Sequence, residues 1–173
     1  MSFPSKTDRE TILRTALEII ETQGWNALSM RTLGRKLGMR ASSLYHHFPD
    51  RNAIEKALGS SASHSLLLAL KSASAGLSGD PRIHALALAY IDFANQNQPL
   101  YKLITGLPLA EEDKPLRDFL LENLYGDTDA ALALLAFLHG FASLQLSTKI
   151  DPRKAANVLE RGLSAFAPKQ NIL

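Results

Sequence analysis

Between Glu21 and Asp50 the chain carries no carboxylate, yet it places Arg31, Arg35, Lys36 and Arg40 there, with Tyr45, His46 and His47 close behind. Guanidinium, ammonium, phenol and imidazole groups without a competing acid suit the binding of a polyanion, because each can neutralise or donate to phosphate oxygens. The charge is unevenly spread: residues 1–58 hold nine Lys/Arg against six Asp/Glu, and residues 59–173 hold ten against eleven. A solvated basic face is the commoner cause of such an excess, but it does not call for an outward Tyr within an acid-free stretch.

Bond-making chemistry finds no support. With no cysteine, disulfides, thiolate zinc sites and a cysteine nucleophile are excluded. His46 and His47 are adjacent, while His64, His84 and His139 lie far apart, so no metal-ligand spacing exists. There is no His-Glu-x-x-His, nucleophile elbow or nucleotide-binding glycine fingerprint, and Gly76-x-x-Gly79 is too weak to call a phosphate loop. The reading is a non-enzyme with no cofactor and no metal. The first residues lack a signal-peptide core, and the longest apolar run, Ala130 to Leu138, is short for a bilayer span, so a cytoplasmic protein is expected.

The elements that must position the basic residues are helical throughout, since no period-2 stretch occurs and an all-α fold follows. Ile12, Leu13, Ala16, Leu17, Ile19 and Ile20 share a face of one helix that Gly24 ends, and Trp25 is expected to plug a small N-terminal core. Ser29 is a suitable N-cap for a helix of about eight residues with Leu33 and Leu37 inward and Arg31, Arg35 and Lys36 outward. Gly34 within it hints at a close neighbouring helix, and Gly38 can take the positive φ of a tight turn. A second short helix then begins near Arg40 or Ala41. There Leu44 and Phe48 share the inward face, which turns Ala41, Ser42, Tyr45 and His46 outward. Small residues beside hydroxyls, an Arg, a Tyr and a His suit a DNA major groove, where the backbone must approach closely while donors reach bases and phosphates.

This arrangement resembles the tetracycline-repressor (TetR) family of bacterial transcription regulators over about residues 7–58. The resemblance rests on Gln23-Gly24-Trp25, Leu28-Ser29-Met30-Arg31, the two short helices and Leu44-Tyr45-His46-His47-Phe48-Pro49-Asp50-Arg51. It implies that the helix from about Ala41 to His47 is the recognition helix. Ser29, Arg31, Tyr45, His46, His47 and Arg51 then become candidate phosphate contacts, and Arg40, Ala41 and Ser42 stand where relatives read bases. Many relatives have a Ser or Thr cap at the position of Arg40 and Ala at that of Gly34.

Residues 1–50 are therefore expected to form a helix-turn-helix DNA-binding domain. Residues 51–173 should form a helical effector-binding and dimerisation domain, reached by a long helix over about 49–74 with Pro49 in its first turn. Gly59 and the Ser-rich stretch that follows predict a kink in it. Asp80-Pro81 and Asp151-Pro152 read as helix starts. The segment Thr128 to Leu146 is apolar on several sides, too many for one neighbour to cover, which predicts a homodimer through the last two helices. Its expected interface is Leu134, Leu138, Phe141, Ala155, Val158, Leu159, Gly162, Leu163 and Phe166, with Gly140 and Gly162 allowing close approach. Phe137-Leu138-His139-Gly140-Phe141 also resembles the His-Gly motif of one C-terminal subclass of the family.

The resemblance further implies a repressor that reads a pseudo-palindromic operator and is released by a small molecule. Tyr90, Phe93, Tyr101, Phe119, Tyr125, Phe137 and His139 are the candidate pocket residues, and the sparse charge around them points to a largely apolar effector. The competing reading is a helical protein that packages or bends DNA without sequence preference.

Overall fold

Asp8 opens the first helix, its carboxylate accepting from the Thr11 amide at 2.8 Å. The computed structural model describes residues 8–106, 114–123, 128–148 and 150–166. Helix α1 (Arg9–Gln23) stops at Gly24, whose φ of 82° an L side chain rarely adopts, and a 3₁₀ turn over Trp25–Ala27 follows. Helix α2 (Met30–Leu37) starts from Ser29 and ends on left-handed Gly38; α3 is Ala41–His47. Helices α4 (Arg51–Ser74), α5 (Gly79–Gln96), α6 (Gln98–Gly106), α7 (Lys114–Asn123), α8 (Thr128–Ser147) and α9 (Pro152–Phe166) complete the described elements, among which there is no strand.

Two apolar cores organise these helices. The first gathers Ile12, Ala16, Ile19, Ile20, Leu28, Leu33, Leu44 and Phe48 with Ile54 and Leu58 of α4, and half-buried Trp25 packs against it. The second holds Leu66, Leu67 and Leu70 of α4 with apolar residues of α5, α7, α8 and α9. Helix α4 thus serves both cores in succession. Helix α6 does so at a single turn: Tyr101 is buried in the second core, while Leu103 is buried in the first with Leu100 beside it.

Several helix boundaries differ from expectation for local reasons. Helix α4 starts at Arg51, two residues after Pro49, because the Asp50 carboxylate caps the Ala53 amide at 2.8 Å. The helical hydrogen-bonding pattern of α4 runs unbroken through Gly59 and the Ser-rich stretch, where Gly59, Ala62 and Ser63 are buried and tertiary packing supports residues of weak helix preference. Helix α5 begins at Gly79, with Asp80 and Pro81 inside its first turn, where a missing N–H costs nothing because no intrahelical acceptor awaits it. Asp151 does cap α9, accepting from the Arg153 and Lys154 amides at 3.0 and 3.2 Å.

Six of the residues expected at the dimer face are covered within the chain itself. Leu134, Leu138, Phe141, Ala155, Leu159 and Leu163 are all buried in this chain's own second core. Periodicity identified an apolar face correctly but could not say that α5, α7 and the other of the two helices already cover it. Gly162 marks a close approach within the chain, since a Cβ there would overlap the ring of Phe137, whereas Gly140 is exposed, with nothing of its own chain within 4 Å of a would-be Cβ. Val158 is exposed, and the side chain of Phe166 lies outside what the structure describes. Leu132, Ala133, Ala136, Gly140, Ser143 and Leu144 instead form the outward face of α8. By length and apolar composition α8 could cross a membrane, but its inner face is core.

Candidate nucleic-acid interface

Three local devices aim the basic stretch. The Ser29 hydroxyl accepts from the Thr32 amide at 3.0 Å and shares a 2.9 Å hydrogen bond with the Thr32 hydroxyl, which fixes the start of α2. Gly38, at φ 64° and ψ 23°, lets the chain reverse in a few residues, and the Met39 amide donates to the Gly34 carbonyl at 2.9 Å. Fully buried Leu44 and Phe48 then pin α3 from below.

The consequence is an outward face on which Ser42, Tyr45 and His46 are exposed, beside exposed Arg40, Arg31 and Arg35. Tyr45 is 50% exposed, which leaves its ring and hydroxyl accessible to a partner. Arg40 holds the N-cap position of α3 without a side-chain cap bond, so its guanidinium is not committed to the helix start. Ala41 is the first residue of α3; its side chain lies outside what the structure describes.

Other candidates are held by neighbours within the chain. Ser29 is engaged as a cap. Arg51 donates from Nε to Glu55 at 2.7 Å, which compensates part of its charge. His47 is half-buried, and its carbonyl accepts from Arg9 Nη1 at 3.2 Å. Arg9 was not legible in the sequence: its guanidinium lies 4.2 Å from the Phe48 ring centre and ties the start of α1 to the end of α3 across 38 residues. Lys36 is likewise bound to Glu18 of α1 at 2.7 Å, so it braces the module. Gly34 is not forced by a close neighbour, because a Cβ there would meet Met39 O at 3.5 Å and Leu44 Cδ2 at 3.8 Å, ordinary contact distances.

The second set of candidates divides. Tyr90 and Tyr101 pack edge to face at 5.9 Å, and the Tyr101 hydroxyl and His139 Nδ1 share a 2.8 Å hydrogen bond. Burial pushes the Tyr90 phenol far above its usual range, with its tyrosine neighbour adding to the shift, and burial also raises that of Tyr101. Phe93 is buried in the same core. Phe119 is half-buried beneath the Lys71 ammonium at 5.7 Å, and Phe137 lies over Gly162 and stacks on Phe141 at 6.0 Å. Tyr125 lies outside the described residues. Among the described residues no group of His, Asp and Glu is placed to hold a metal.

A capped positioning helix, a left-handed glycine turn and a second helix with an exposed polar face define a helix-turn-helix DNA-binding protein with a helical companion domain. The chain matches the family model for bacterial regulatory proteins of the tetR family over residues 12–58 and that for the tetracyclin repressor-like C-terminal domain over residues 83–166. It belongs to the TetR family of transcriptional regulators, whose members bind DNA and are not enzymes. It is 26% identical over 162 residues to the uncharacterized HTH-type transcriptional regulator Rv0681 of Mycobacterium tuberculosis, covering 86% of this chain and 74% of that one. A protein of unknown function from Rhodococcus sp. RHA1 superposes with a TM-score of 0.81 at 26% identity, over 95% of this chain and 97% of that one. A TetR variant from Acinetobacter baumannii AYE in complex with minocycline shares the fold at a TM-score of 0.70 and 17% identity, over 92% and 94% of the two chains.

Proposed function

We propose that this regulator is a ligand-responsive repressor, cytoplasmic, that binds a pseudo-palindromic operator as a homodimer and is released by a small, largely apolar effector. The observation that carries the DNA side is the exposed, acid-free face of Arg40, Ser42, Tyr45 and His46 held outward by buried Leu44 and Phe48. Arg31, Tyr45 and His46 take phosphates and Arg40, Ala41 and Ser42 approach bases; Ser29, His47 and Arg51 act mainly by holding the module in shape.

Residues 1–50 form the DNA-binding unit and residues 51–173 the effector and dimerisation unit. A division into two units is supported by the two cores, and α4 crosses from one to the other between Leu58 and Leu66, so its first turns, with Ile54 and Leu58, pack with the DNA-binding unit. The homodimer is supported by the apolar outward face of α8, Leu132, Ala133, Ala136, Gly140 and Leu144, with Val158 on α9. A two-fold axis there would set two recognition helices against two half-sites. The effector lies against Tyr90, Tyr101 and His139, a polar cluster within an apolar core; the solved fold neighbour in complex with minocycline supports a small-molecule ligand for a chain of this fold.

Selection of bound genomic fragments, followed by competition binding against random DNA, tests the reading. A repressor should prefer the selected site by ~10³-fold or more. Equal affinity for both would establish a packaging protein instead.

A further inference from the structure

We propose that Arg31, Arg35 and Tyr45 form a single clamp on one backbone phosphate of bound DNA, seated in the hollow left by Gly34 between α2 and α3. The hollow measures about 220 Å³. Its floor is Met30, Gly34, Met39 and Leu44, and its other lining residues are Arg31 and Arg35 from α2 and Tyr45 from α3. The inference rests on the DNA-binding reading of α3 and assigns to Arg35 a role that its sequence position did not suggest.

Charge decides the occupant. Neither Arg31 nor Arg35 has an ion-pair partner among the described residues, whereas Lys36 and Arg51 are both paired. No carboxylate occurs between Glu21 and Asp50, and the nearby Glu18 is engaged by Lys36. Arg31, Arg35 and Tyr45 line one concavity, and their side chains carry the donors that the oxygens of one phosphate accept, with charge-assisted hydrogen bonds as the source of affinity. Gly34 gives the hollow its depth: a Cβ at this position would project beside Leu44 Cδ2 without collision and occupy part of the floor. An alanine here would therefore improve the helix while making the seat shallower.

The test is the salt dependence of binding of the full chain to a mixed-sequence duplex of about three helical turns, since a phosphate contact needs no operator. With one guanidinium left to neutralise the phosphate, Arg35→Ala and Arg31→Ala should each bind several-fold more weakly while keeping most of the wild-type slope of log affinity against log salt. In a dimer with two clamps, the double variant should lower the magnitude of that slope by about 1.8, against about 3.6 if the two arginines held separate phosphates. Arg35→Lys should keep the wild-type slope. Gly34→Ala should melt roughly 1–4 °C higher yet bind on the order of tenfold more weakly at moderate salt.

An unchanged affinity in Arg35→Ala, a slope lowered by about 3.6 in the double variant, or a Gly34→Ala variant that binds as tightly as wild type would each overturn the clamp. A wild-type chain that binds no duplex at all would instead remove the DNA-binding reading beneath it. Because Arg31 and Arg35 are exposed, their replacement leaves the cores intact, and melting curves verify this independently.

Discussion

The hydroxyl of Tyr101 and Nδ1 of His139 lie 2.8 Å apart, so α6 is joined to α8 by a hydrogen bond at the same turn where Leu103 enters the N-terminal core. Tyr101 is thus held to α8 two residues from Leu103, which is buried in the same core as Ile54 and Leu58 of α4.

Because burial raises the Tyr90 and Tyr101 phenols above the unfolded value of 10.0, folding favours their protonated forms. The sign is fixed by proton counting: above pH 10 the unfolded chain releases protons that the native chain keeps, so stability falls as pH rises. Stability from these groups should be fully present below pH 10 and decline above it. Denaturant titrations at increasing pH should show this decline, and Tyr90→Phe should flatten it. At neutral pH, Tyr101→Phe should cost about 1 kcal/mol through the lost hydrogen bond to His139. A decline equally steep in Tyr90→Phe and wild type would assign the alkaline transition to other groups.

Charge placed on the two faces of the C-terminal helices should have opposite consequences. Leu163 is buried within the chain, so Leu163→Arg should unfold the domain, with a loss of several kcal/mol expected for an unpaired charge in a core. Leu132 is 50% exposed, so Leu132→Arg should leave the helical circular-dichroism spectrum and yield monomers by light scattering. A dimeric Leu132→Arg variant would place the interface elsewhere.

At the recognition face, Tyr45→Ala should weaken binding to all sequences alike, because a phosphate contact carries no base information. Arg40→Ala should relax discrimination at one position by roughly 1–3 kcal/mol. Binding profiles over a library of operator variants separate these outcomes, and the reverse pattern would exchange the two roles.

The DNA-binding module was largely legible in the sequence because its determinants are local. The Ser29 cap, the Gly38 turn and the Leu44–Phe48 spacing each act within four residues, and the structure contains all three. Periodicity also made α8 and α9 apolar in advance. It could not decide which apolar residues meet a neighbour in the same chain, since that depends on contacts far apart in sequence; Leu134, Leu138 and Leu163 turned out to be core.

The same limit applies to charge. The sequence by itself determined an acid-free basic stretch on two short helices, because composition and helical spacing require nothing beyond the segment itself. Only the tertiary structure decided which cations are already occupied. Glu18 reaches Lys36 from another helix, and Arg9 folds onto Phe48 from the start of α1. Arg31 and Arg35 are left facing Tyr45 across a hollow that no linear spacing encodes, since its walls come from two helices whose relative placement is set by the buried core beneath them.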